Sequence, residues 1–182
     1  MPELAGFLVV SGGLVYLSRA SLRRPRSHGF WRFFAFECLA GLCLLNLRRW
    51  FLNPLSAPQV VSWVLLLISA GLALHGVLLL RQLGRPQPGR TDDALIGFER
   101  TTRLVTGGAY RYIRHPLYGS LLFFGWGIFF KDLTWLGGLL AVAATAFLVV
   151  TAKMEEAENR QFFGADYDGY VRRTRMFIPF LF

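Results

Sequence analysis

Five long apolar blocks limit what this chain can fold into. Residues 4–18, 33–47, 60–80, 117–130 and 133–152 are nearly uncharged. A helix needs about 20 apolar residues to cross roughly 30 Å of hydrocarbon, and each block approaches that length once its ends are extended. Hydrophobic residues make up 54% of the 182 positions. They come as continuous runs, not interleaved with polar residues, so little is left to form the wet shell of a soluble core. The expected architecture is an all-α integral membrane protein, a single domain over 1–182. Five transmembrane helices are expected at about 4–18, 30–50, 59–83, 116–130 and 133–153.

The charge pattern gives these helices an orientation. Net charge is +9, which by itself would fit a nucleic-acid partner, but its distribution points elsewhere. Seventeen of the 20 Lys and Arg residues fall in three segments. The 19–32 segment holds Arg19, Arg23, Arg24, Arg26 and Arg32. The 81–116 segment holds Arg81, Arg85, Arg90, Arg100, Arg103, Arg111 and Arg114. The tail holds Lys153, Arg160, Arg172, Arg173 and Arg175. The alternate loops carry only Arg48, Arg49 and Lys131. Cytoplasmic loops are enriched in Lys and Arg, so the N-terminus is expected outside and the C-terminus in the cytoplasm. In a bacterium the membrane would be the inner one. The basic surface then faces anionic membrane lipids, and no nucleic-acid partner is expected. Positive charge follows the first block instead of preceding it, which reads as a signal anchor without cleavage. Cys38 and Cys43, five apart inside a block, read as buried apolar cysteines.

The connections are legible from their breakers. Asn53, Pro54, Ser56 and Pro58 mark a tight external turn. Lys131 and Asp132 make a minimal external turn, with position 131 expected to face the outside. The longest polar stretch, 84–115, begins with Gly84, Pro86, Pro88 and Gly89 and should start extended. Residues 98–105 read equally well as a short helix or a strand. The last helix meets no breaker from Leu133 to Gly164. Thirty residues at about 1.5 Å each span about 45 Å, so its end should project from the bilayer with Glu155, Glu156 and Glu158 on it. Glu37, Asn46 and His75 fall within or near spans, where ionisable groups point to function. A pair of Glu37 with Arg32 or Arg23 is the plainer expectation.

Two polar islands carry the chemistry. In Arg114-His115-Pro116, the proline suits the first position of a helix and His115 its N-cap. The amides of Leu117 and Tyr118 then lack intrahelical acceptors, and a helix start of that kind attracts anions. The plainer reading places Arg114 and His115 in the headgroup layer. Gly107 and Gly108 permit positive φ or a close ligand approach. Tyr110, Tyr112 and Tyr118 add flat surfaces with polar tips, or an interfacial aromatic belt. Glu155 and Glu156 point about 100° apart, so at most one faces a given pocket. Either binds a cationic or hydroxyl ligand group, or forms a solvated face with Glu156 paired to Arg160. No dinucleotide glycine motif, phosphate-binding loop, zinc-protease helix or metal-ligand spacing is present.

Together these residues resemble a known family. The run Leu104-Val105-Thr106, Gly108, Tyr110, Arg114-His115-Pro116 and Tyr118 precedes a short hairpin. Glu155-Glu156, Phe163-Gly164, Tyr167, Tyr170 and Pro179 follow it. This order resembles the isoprenylcysteine carboxyl methyltransferases and their bacterial membrane relatives, including phospholipid N-methyltransferases, over roughly residues 100–180. The resemblance implies S-adenosylmethionine as methyl donor, held in regions 100–118 and 153–182. The implied cofactor positions are Thr102, Arg103, Leu104, Val105, Tyr110, His115, Pro116, Leu117, Tyr118 and Glu155. It implies a lipophilic or lipidated acceptor, first an isoprenylcysteine-like carboxylate, with a phospholipid amine or small thiol as the alternative. Thr151 stands where the carboxyl-methylating relatives carry an acceptor-binding Arg, and Leu95 stands near a missing upstream cofactor contact. Arg114, Arg172 and Arg173 are the candidate replacements for acceptor positioning. The competing class is a non-catalytic membrane scaffold or lipid-binding protein.

Overall fold

The computed structural model describes residues 2–84 and 101–180. Leu95, Arg85, Arg90, Arg100 and the first part of the 98–105 stretch lie outside the described residues. Six α-helices follow one another: α1 (Pro2–Leu22), α2 (His28–Leu45), α3 (Ala57–Leu83), α4 (Pro116–Phe129), α5 (Trp135–Phe163) and α6 (Ala165–Arg173). Short 3-10 turns occupy Leu47–Arg49 and Gly108–Arg111. A parallel β-bridge joins Ile113 and Arg175.

Four helices, α1, α2, α3 and α5, are long and apolar enough to cross a membrane. The fifth expected span is α4, with 14 residues. At about 1.5 Å per residue it is about 21 Å long, short of a full hydrocarbon crossing. The surface agrees with a lipid environment. Large apolar side chains point outward, among them Val9, Leu17, Leu67 and Trp135, each more than 70% exposed. A soluble protein of this size rarely presents so much apolar surface.

Local signals set the helix ends. Ser27 and Ser56 are extended N-caps of α2 and α3, and Thr134 accepts the Gly137 amide at 3.1 Å to start α5. Gly164, at φ +59°, ends α5 after 29 residues and turns the chain directly into α6. That left-handed conformation favours glycine. Helix α2 ends earlier than expected, at Leu45, because buried Asn46 folds its side-chain amide back onto the Leu42 carbonyl at 3.1 Å.

The core lies between α2, α4 and α5. Leu39, Leu42, Ile128, Ala141 and Ala144 form one cluster, and Ala35, Tyr118, Leu148, Ala152, Met176 and Phe177 the other. Helices α3 and α4 pack closely; a Cβ on Gly76 would sit 2.9 Å from Leu117. Helix α1 packs on α2, where Ser11 donates a 3.0 Å hydrogen bond to Glu37. Glu37 thus has a partner on the neighbouring helix, a contact not foreseen beside Arg32 and Arg23.

The two ends of the bundle differ. At one end Lys131 is 5% exposed, so the expected ready reactivity of position 131 does not fit its burial. Its ammonium sits 3.3 Å from the Trp63 ring centroid and donates to the Gln59 side-chain oxygen at 3.0 Å. Gln59 in turn donates to the Lys131 and Arg49 carbonyls. A turn lysine is buried here because aromatic faces and amide oxygens replace its water. Burial still pulls its pKa below the ordinary value. At the opposite end the start of α2, the start of α4 and the end of α5 converge.

Candidate functional site

The site is built where α4 begins. His115 is the N-cap of α4, and Pro116 is at its first turn, so the expected helix start is present. The segment before it is held from both sides. On one side, His75 of α3 accepts the Ala109 amide at 3.2 Å. Gly108, at φ +56°, makes this approach possible, since a Cβ there would lie 2.6 Å from the His75 ring and from Leu79. The glycine serves a helix contact rather than a ligand contact.

On the other side the C-terminal segment pairs with the motif. The Arg114 and His115 amides donate to the Arg175 and Met176 carbonyls at 2.7 and 3.1 Å, and the Arg175 amide donates to the Tyr112 carbonyl. Buried Tyr170 donates its hydroxyl to the Tyr110 carbonyl at 2.7 Å. Burial pushes the Tyr170 phenol well above its ordinary pKa. Burial and then the Glu156 carboxylate do the same to Tyr167, so both stay protonated donors. The second polar island of the sequence is therefore a brace for the first.

The acidic pair divides its labour as the 100° geometry requires. Glu155 lines a cleft, whereas Glu156 is 6% exposed and turns toward the α4 start. Glu156 Oε1 accepts from Arg114 Nε at 2.6 Å and lies 3.4 Å from His115 Nε2. Arg160 is more distant, at 3.9 Å. The solvated Glu156–Arg160 face is thus replaced by a buried clamp, because the tertiary partner Arg114 is nearer. Arg114 also donates to the Thr174 carbonyl at 2.6 Å. The His115 ring stacks on Tyr118, with centroids 5.5 Å apart.

The cleft holds about 640 Å³ of atom-free space, counting its open mouth. Leu104, Val105, Tyr110, His115, Leu117, Tyr118 and Glu155, all expected cofactor positions, line it together with Arg114, a candidate for acceptor positioning. Thr102 and Arg103 do not; their amides donate to the Gly84 carbonyl, and Arg103 borders a separate recess beside Leu83. Pro116 is buried beneath the cleft. Arg172 and Arg173 are exposed on α6 and border a different recess with Tyr112 and Phe180. Thr151 is fully buried and turned to the Phe147 carbonyl, so it offers nothing to the cleft.

Leu80, Thr101, Asn159, Phe163, Tyr167 and Tyr170 complete the lining and were not singled out as contacts. Asn159 and Phe163 had a signal: they follow Glu155 at four-residue steps on one helical stripe. A second acidic contact had none. Glu158 accepts the His28 amide at 3.0 Å and its carboxylate meets the His28 ring at Nδ1. A carboxylate at the start of α2 is favoured by the helix dipole.

Such a cleft brings a helix start and a carboxylate together among apolar and aromatic side chains. That combination suits a ligand with an anionic end, hydroxyl or cationic groups, and a flat ring. The phospholipid methyltransferase family matches residues 60–166, and the chain belongs to that family. Methanethiol S-methyltransferase of Crocosphaera subtropica is 29% identical over 133 residues, covering 66% of this chain and 44% of the relative. A probable protein-S-isoprenylcysteine O-methyltransferase of Oryza sativa subsp. indica is 32% identical over 108 residues, covering 56% and 55%. Methanethiol S-methyltransferase 2 of Bradyrhizobium diazoefficiens is 37% identical over 73 residues, covering 40% and 27%. The chain spans about half the length, or less, of these relatives. No solved structure matches it.

Proposed function

We propose that this chain is an integral membrane methyltransferase that uses S-adenosylmethionine and a lipophilic acceptor. The observation that carries the proposal is Glu155 lining one cleft together with the start of α4. Leu117 and Tyr118 amides at the α4 start suit the methionyl carboxylate. Glu155 suits the cationic or hydroxyl groups, and Leu104, Val105, Tyr110 and Tyr118 suit the adenine. His115 adds a ring donor at the carboxylate end. The bound cofactor supplies an electrophilic methyl group on a sulfonium. The protein's task is then chiefly to align that methyl with a nucleophile and keep water out.

The 182 residues act as one membrane domain. Helix α4 works as the fifth, short crossing, with the cleft at the cytoplasmic end and the N-terminus outside. The 17-to-3 division of basic residues supports that orientation. The acceptor enters sideways from the bilayer. An isoprenylcysteine carboxylate and a small thiol are the two head chemistries carried by the relatives' names. The cleft favours the thiol, because Arg114 is committed to Glu156 and Arg172 and Arg173 border another recess. Purified protein incubated with methyl-labelled S-adenosylmethionine and a panel of alkyl thiols, farnesylated cysteine analogues and phosphatidylethanolamine tests this. Label in a lipophilic product is expected. Cofactor binding with no transfer to any acceptor would favour the scaffold reading.

A further inference from the structure

From the geometry at the start of α2, we infer that His28 is the general base for a thiol acceptor, with Glu158 as its orienting carboxylate. The inference rests on the methyltransferase reading above. His28 is fully buried, and its ring Nδ1 is engaged by Glu158 Oε2. A carboxylate accepts hydrogen bonds only, so the neutral ring must carry its proton on Nδ1. Nε2 then keeps the lone pair. Among the described residues Nε2 has no hydrogen-bond partner. A buried polar atom without a partner is costly unless something else meets it. A nucleophile positioned by a carboxylate-oriented imidazole is the arrangement used wherever a weak nucleophile must lose a proton.

Neither His28 nor Glu158 lines the cleft, but Glu155, whose charge acts on the His28 ring, does. Glu158 is one helical turn beyond Glu155 on α5, and Glu155 lines the cleft. The charged and titratable groups acting on the ring are Glu158 and Glu155 from α5 and Arg32 from α2; His115 of α4 also acts on Glu155. A carboxylate acceptor is already ionised at neutral pH and would leave such a base idle. An ammonium of ordinary acidity, about 10.4, holds its proton roughly four units more tightly than an imidazolium of about 6.5, whereas a cysteine-type thiol of about 8.5 is within two units. A cysteine-type thiol is the head group that this base matches.

The step balances without a redox partner. The thiol S–H bond breaks and its proton moves to Nε2. The sulfur lone pair forms the new S–CH₃ bond as the sulfonium–CH₃ bond of the donor breaks. The products are a thioether, the neutral thioether of the spent donor, and an imidazolium beside Glu158 that returns its proton to solvent.

The full chain, its His28→Gln variant and its Glu158→Gln variant, each in lipid nanodiscs, decide the matter by three measurements. The first is calorimetric binding of S-adenosylhomocysteine. The second is the thiolate ultraviolet absorbance that appears when an N-acylcysteine amide, a cysteine-type thiol, is added with S-adenosylhomocysteine present. The third is the ratio of methylation rates for that thiol and for an electron-poor aryl thiol that ionises unaided, a ratio independent of how much protein is folded. The wild type should show thiolate absorbance at neutral pH. His28→Gln should lose it, bind S-adenosylhomocysteine within about threefold of wild type, and lower that ratio about 100-fold, the size of a general-base contribution. Glu158→Gln should fall between them. An unchanged ratio in His28→Gln, or transfer to carboxylates or amines but to no thiol, would overturn the base assignment while leaving the methyltransferase reading intact. Failure of the wild type to bind S-adenosylhomocysteine would overturn both.

Discussion

Arg114 Nε and Glu156 Oε1 lie 2.6 Å apart, with side chains only 10% and 8% exposed, and this buried pair joins the start of α4 to α5. It links two segments 42 residues apart in sequence. Whatever Glu155 and the α4 start hold between them is held at a spacing that this pair sets.

Removing one partner of the clamp should therefore act on stability. A buried ion pair left with one charge loses about 3–5 kcal/mol. Glu156→Ala should lower the melting temperature in detergent substantially. Glu155→Ala, which vacates the cleft wall instead, should leave the melting temperature close to wild type. Equal shifts for the two variants would contradict the division of roles.

Tyr170→Phe removes the hydroxyl that meets the Tyr110 carbonyl at 2.7 Å. A buried carbonyl left without its donor costs about 1–3 kcal/mol. Denaturant or thermal unfolding should register that loss, and hydrogen exchange around residues 110–113 should quicken. An unchanged exchange rate there would show that the C-terminal segment does not brace the motif.

Gly108→Ala places a Cβ 2.6 Å from His75 and Leu79 while forcing φ +56° on a non-glycine residue. Strain of that kind costs at least about 1 kcal/mol, and the contact adds to it. Thermal unfolding should show the variant less stable than wild type, and His75→Ala combined with it should recover part of the loss by opening space. No recovery would mean that the clash lies with Leu79 alone.

Much of this was legible because it is local. The apolar blocks, Pro116 at the first turn of α4, the His115 N-cap and the Gly164 stop each depend on a few neighbouring residues, and the structure has them where the sequence put them. Leu104, Val105, Tyr110 and Glu155, singled out through the family resemblance as cofactor positions, share one cleft. What could not be read depends on packing between distant segments. Glu158 meets His28 across 130 positions. Glu156 prefers Arg114 to its helical neighbour Arg160. Lys131 is buried because Trp63 and Gln59 happen to stand beside it. None of these pairings has a sequence period.

The buried Lys131 also changes how topology is best probed. Single cysteines at Leu133, 54% exposed, and at Asp168, whose side chain is 56% exposed, are the better reporters. Position 133 should react with an impermeant thiol reagent from outside, and position 168 only after the membrane is opened. A cysteine at 131 should react slowly from either side. Labelling of 168 in intact cells would reverse the orientation and remove the cleft from the cytoplasm.

The central claim is that the cleft between Glu155 and the start of α4 binds the methyl donor. Calorimetric titration of the purified protein with S-adenosylhomocysteine tests it most directly. Saturable binding is expected, with a matching rise in melting temperature because the ligand stabilises only the folded state. Glu155→Ala and His115→Ala should each weaken binding about ten- to a hundredfold, the loss of one charge-assisted hydrogen bond of roughly 1.5–3 kcal/mol. A cooperatively folded sample that takes up no ligand at millimolar concentration, or binding that Glu155→Ala leaves unchanged, would contradict the account.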